Sequence, residues 1–245
     1  MGKCKKIIFF LLIIIYPFYI YMKFKHLIEL SQSSMCMIDC ISVQIQSCLF
    51  IEILIWALLV IGCGKKYFRI MVIIRQKNIR YMMINILIKT FVTAVIISLY
   101  LLICTWLIGN IVSTDICNWQ SYSSYGYYKM GVKSQSIIDI GKLLAAYFII
   151  KISCFLITTD MIMITWLWFN TPLIGYVIVA VTYIIENSFS PPVVKLFFAY
   201  ANLDFTALYF KGIDSFHMMI FPIICAVVIT IILLILSKKR DWLIN

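Results

Sequence analysis

The chain has 245 residues, 64% of them hydrophobic, with a mean hydropathy of +1.02 and a formal net charge of +11. Apolar runs long enough to cross a bilayer recur along its whole length, which marks an integral membrane protein and leaves no room for a separate soluble domain. In such a chain Lys and Arg mark cytoplasmic loops and membrane edges, so the charge is read as topology and no nucleic-acid partner is expected.

About six helical spans of roughly 20 residues would account for the length, which predicts an all-α polytopic protein of the cell membrane. The first span is placed at 7–22, between Lys3, Lys5 and Lys6 and the pair Lys23 and Lys25. It is read as an uncleaved span because no small-residue cleavage site follows it. A second span, 48–64, leads into KKYFRIMVIIRQKNIRYMMI, where six Lys and Arg side chains fall within sixteen positions and no acidic residue answers them. That basic loop, 65–81, turns the chain into a third span at 82–109. The segment Ser121–Ser136 is polar, aromatic and carries two glycines, and reads as a plain exposed loop.

A fourth span is expected at 140–169, ending at Asn170-Thr171-Pro172, where Asn or Thr can cap and Pro suits the first turn of a new helix. Asp160 is an alternative place for a bend. The fifth span is 172–186 and the sixth 218–236, before Lys238-Lys239-Arg240. Between them, 188–217 is too apolar for a solvated loop and too broken by Pro191, Pro192 and Gly212 for a clean span. It reads as short re-entrant or interfacial helices on the outer side, rich in Tyr and Phe. With the amino terminus inside, thirteen Lys and Arg fall on the inner side and seven on the outer, which favours both termini in the cytoplasm.

If 65–80 is helical, Lys65, Lys66, Arg69, Lys77 and Arg80 lie within about a third of a turn, and Tyr67, Ile70, Ile74 and Tyr81 share another face. Ile73 and Arg75 break the pattern. Two readings stay open: an interfacial helix on anionic lipid headgroups, or a coupling segment seated on a separate motor protein through Lys65, Lys66, Arg69, Arg75, Lys77 and Arg80. Within the spans, Glu52, Lys151 and Asp160 are expensive and therefore candidates for function. Lys151 and Asp160 are nine positions apart and cannot pair as helical neighbours, whereas Lys151 could meet Glu52 across helices.

No catalytic motif accompanies these charges. The two histidines, His26 and His217, form no H-E-x-x-H pair, and neither a Walker A loop nor a G-x-S-x-G elbow is present. A metal site is not expected, and neither is a cofactor. Of nine cysteines, Cys36, Cys40 and Cys117 fall on one side, so a single disulfide among them is conceivable.

Two inward termini, about six spans, a basic cytoplasmic segment after span two, the Asn170-Thr171-Pro172 turn, a long apolar outer segment and the tail KKRDWLIN together resemble the ABC-2-type ABC transporter permeases, in their small bacterial members. The resemblance covers nearly the whole chain and rests on layout. It implies a non-catalytic export permease that dimerises with itself or with another permease and borrows ATP and Mg chemistry from separate ATP-binding cassette subunits. It also implies a re-entrant element over Val193–Phe210 near an outer gate. The cargo would be a peptide, lipid or hydrophobic toxin. The readings from other classes are an immunity factor working without an ATPase and a secondary transporter using Glu52, Lys151 and Asp160.

Overall fold

A computed structural model describes residues 11–73, 79–113, 115–131, 139–169, 171–188, 198 and 215–244, with the side chains of 11–12, 63–73, 79–80, 215–218 and 239–244 outside that description. A π-helical turn, Leu11–Ile15, leads into α1 (Tyr16–Ser31), followed by α2 (Met37–Ile73), α3 (Ile79–Val112), α4 (Tyr125–Met130), α5 (Ile140–Phe169), α6 (Pro172–Ser188) and α7 (Ser215–Ile244). Among the described residues four helical stretches are long and apolar enough to cross a membrane: Met37–Gly62, Tyr81–Val112, Ile140–Phe169 and Met219–Lys238. The helix α6 is a shorter apolar helix of 17 residues, and α1 has 16. The protein is thus an all-α polytopic membrane protein built on four strong spans.

Its polarity is inverted relative to a soluble bundle. Ile88, Ile96, Leu99, Ile103, Leu107 and Ile111 recur at helical spacing along the exposed side of α3, while Glu52, Lys151 and Asp160 are buried. Lipid tails accept the apolar face without cost, so the polar groups turn inward, where each can find a partner. At the centre stands α5, packed against α2, α3, α6 and α7. Seventeen of its thirty residues are buried, which leaves it little lipid contact. It runs through Asp160 as one continuous helix.

α5 ends at Phe169 and Pro172 opens α6, where its missing N–H is no loss. The two helices cross at Gly175. A Cβ there would lie 2.3 Å from Thr165 Oγ1 and 2.8 Å from Ile162 Cα. Ala normally adds about 1 kcal/mol to a helix over Gly, but a backbone atom cannot step aside, and overpacking of this kind costs about 1–3 kcal/mol. Gly175→Ala is therefore expected to lower the unfolding temperature of the detergent-solubilised protein, and an unchanged or raised temperature would show that the crossing has slack.

Three expectations change here. The helix of the first span extends to Ser31, so Lys23, Lys25 and His26 lie on α1 rather than in a following loop, and Lys25 pairs with Glu29 at 3.9 Å. The chain turns only at Gln32, which takes a left-handed conformation with φ of 50°. The basic passage is not one separate helix over 65–80: α2 continues through Ile73, and α3 begins at Ile79.

The third change concerns the expected exposed loop Ser121–Ser136: Ser121, Tyr122 and Ser123 are exposed, but Ser124, Tyr125 and Gly126 are buried, and 132–136 lie outside the described residues. Ser34 pairs with Ser124 as an isolated parallel bridge, with Ser34 N–H donating to Ser123 O at 2.7 Å and Tyr125 N–H to Ser34 O at 2.9 Å. Ser124 caps α4 by accepting from Tyr127 N–H at 3.1 Å, and Gly131 ends it in the left-handed conformation, φ 71°. Trp119 is buried and donates its indole N–H to Asp39 at 2.9 Å. These contacts make a cap over the start of α2 and the end of α3. At the opposite end, Met82, Met83, Ile86, Met163, Trp166, Leu167 and Leu233 form their own cluster below the basic segment. The expected re-entrant element Val193–Phe210 lies outside the described residues apart from Phe198, whose side chain is buried against Tyr183.

Candidate functional site

Glu52 lies about four turns into α2, on the face that meets α5, and Lys151 lies near the middle of α5. Their side chains form an ion pair with almost no solvent exposure. Glu52 Oε2 accepts from Lys151 Nζ, and Glu52 Oε1 accepts from both the Tyr16 hydroxyl of α1 and the Gln44 amide of α2. Gln44 Nε2 also donates to the Tyr16 hydroxyl oxygen at 2.6 Å. Both carboxylate oxygens are thus occupied, the condition under which a buried charge is tolerated. The Lys151 ammonium also stands 5.5 Å from the centre of the Tyr147 ring, one helical turn back on α5.

One turn beyond Glu52, Trp56 stacks on Phe155 with ring centres 4.7 Å apart. Its indole N–H donates to the Phe155 carbonyl at 2.7 Å and to Thr159 Oγ1 at 3.0 Å. Successive turns of α2 and α5 are therefore joined first by charge and then by an aromatic stack with hydrogen bonds. A crevice beside them, between α2, α3 and α5, is lined by Glu52, Ile55, Trp56, Leu59, Ile97, Leu101 and Phe155.

Asp160 is separate from this group. It is buried where α5 meets α7, and its Oδ2 accepts from the Thr230 hydroxyl at 2.6 Å. Its Oδ1 has no hydrogen-bond partner among the described residues, and the same is true of Gln44 Oε1 and the Tyr147 hydroxyl. The structure therefore brings Glu52 and Lys151 together and leaves Asp160 on another helix interface.

Tyr16, Gln44, Tyr147 and Asp39 carried no charge pattern or motif that pointed to these contacts. Glu186, expected only to end the fifth span, is also buried. Of the candidate coupling residues, Lys65, Lys66 and Arg69 lie on the extension of α2 and Arg80 on the first turn of α3, while Arg75 and Lys77 lie outside the described residues. No group of three His, Cys, Asp or Glu side chains that could hold a metal ion occurs among the described residues. No family model, curated protein or solved structure matches the chain.

Proposed function

We propose that this chain is the membrane permease subunit of an ATP-driven exporter, coupled to ATP-binding subunits carried on separate polypeptides. The observation that supports it is the continuity of α2. One helix starts at the cap, carries Glu52 and Trp56 through the bundle core, and runs on into the basic segment. At 1.5 Å per residue its 37 residues reach about 55 Å, against a hydrocarbon core of about 30 Å. A force on Lys65, Lys66 and Arg69 would therefore act directly on the helix that holds the ion pair. An interfacial anchor would instead lie as its own helix in the membrane plane.

In this reading the basic end faces the cytoplasm and the cap faces outward, in keeping with the placement of Lys and Arg. Two permease subunits, identical or not, line the pathway, and the cargo is a peptide, lipid or hydrophobic toxin. Mg-ATP binds the partner subunits, so this chain contributes no catalytic group. The test is a photo-crosslinking amino acid placed at Lys66 or, as control, at Tyr122, which is 70% exposed in the cap. Position 66 is expected to capture a polypeptide with a Walker A loop, in an amount that changes on adding Mg-ATP, while position 122 does not. Capture of lipid alone at position 66 would contradict the proposal.

A further inference from the structure

We infer that Cys36 and Cys117 are a modification site, forming an intramolecular disulfide that ties the start of α2 to the segment between α3 and α4. Both are free thiols, and they lie close enough for each to shift the other's acidity. The backbone fixes them from both sides: Met37 N–H donates to Asp115 O at 3.0 Å, Ile38 N–H to Ile116 O at 3.4 Å, and Ser34 N–H to Ser123 O at 2.7 Å. The Asn118 side chain adds a bond to Ser34 O at 3.0 Å. The main-chain N–H groups of Asn118 and Trp119 point at the sulfurs of Cys36 and Cys117 respectively. Neither cysteine must move far to react. Cys40, one turn along α2, is buried beside Asp39 instead.

The two thiols are unequal in a way that suits oxidation. Cys117 is exposed, and the hydrogen bond from Cys36 holds its thiol down at about 7, so a large fraction is thiolate near neutral pH. The same hydrogen bond, together with burial, pushes the Cys36 thiol up. The oxidant is a disulfide, carried by a thiol–disulfide oxidoreductase or by a small molecule. The Cys117 thiolate attacks one of its sulfurs, its S–S bond breaks, and one thiolate leaves. Once the Cys117 sulfur is in the mixed disulfide it no longer holds the Cys36 proton, and Asp39 Oδ2, 3.1 Å from the Cys36 sulfur, accepts that proton as the Cys36 sulfur attacks the mixed disulfide at Cys117. The second oxidant thiolate leaves. Two protein thiols become one disulfide, the oxidant disulfide becomes two thiols, and two electrons and two protons are transferred.

The experiment uses the full chain in open membrane fragments, incubated with glutathione disulfide, quenched in acid, denatured, alkylated and digested for mass spectrometry. Cys36 and Cys117 are expected to lose alkylation together, at least tenfold, and to appear as one cross-linked peptide that dithiothreitol releases. Cys40→Ser should leave this result unchanged, and Cys36→Ser should leave Cys117 only as a mixed disulfide with glutathione. Full alkylation of both cysteines after oxidation would overturn the inference. So would a Cys40–Cys117 cross-link, or Cys117 held as the glutathione adduct in the unaltered chain. The inference stands apart from the exporter proposal, since the readout is the sulfur pairing alone.

Discussion

Lys151→Met is expected to reduce the amount of monodisperse protein recovered from membranes by at least tenfold. The substitution keeps the volume of the side chain and removes the ammonium, which leaves the Glu52 carboxylate in the bundle core with only Tyr16 and Gln44 as donors. Removing one member of a buried ion pair costs about 3–5 kcal/mol, a large share of a total stability of about 5–15 kcal/mol. Adding Glu52→Gln to Lys151→Met takes away the orphaned charge and keeps an acceptor for Tyr16 and Gln44. The double variant is therefore expected to recover most of the lost yield, measured by size-exclusion chromatography in mild detergent and by thermal unfolding. If Lys151→Met folds as well as the unaltered chain, the pair is not structural, and a role in moving cargo or protons takes its place.

Replacing Arg69, Arg75, Lys77 and Arg80 together with Ser is expected to abolish membrane-bound ATP hydrolysis that depends on this chain, without reducing its insertion. The two readings of the basic segment differ in how the loss behaves. Attraction to anionic lipid is worth about 1 kcal/mol per basic residue near the surface, so lipid anchoring should fade gradually and survive Arg→Lys changes. A groove on a partner that engages guanidinium groups bidentately would not accept Lys in their place. Changing Arg69, Arg75 and Arg80 to Lys is therefore expected to keep vesicle binding within twofold and still lower the hydrolysis at least tenfold. Parallel, graded losses in both measurements would favour the lipid anchor.

The ion pair between Glu52 and Lys151 was visible in the sequence as a possibility because charges inside apolar runs are rare enough to stand out. Tyr16 and Gln44, which complete the shell, were not, since an uncharged polar residue in an apolar run gives no periodic signal and the partners lie 8, 28 or 36 positions apart. The helical class and the long apolar spans were legible for the same physical reason that membranes impose on all such chains, the need to satisfy every backbone group within the helix. Where a helix meets the membrane edge, hydropathy gives no boundary: Lys23 and Lys25 stay helical on α1, and Lys65, Lys66 and Arg69 stay helical on α2. The cap was hidden because it rests on long-range pairs, Trp119 with Asp39 and Ser34 with Ser124, that composition reads only as polar loop.

The most direct test of the exporter reading is affinity purification of the chain from native membranes in mild detergent, with the co-purifying polypeptides identified by mass spectrometry. A subunit carrying a Walker A loop is expected in stoichiometric amount, lost when Arg69, Arg75, Lys77 and Arg80 are changed to Ser while the chain itself still inserts. Recovery of the chain without any ATP-binding subunit under all mild conditions would contradict it, and the basic segment would then be a lipid-facing turn of a protein that works without a motor.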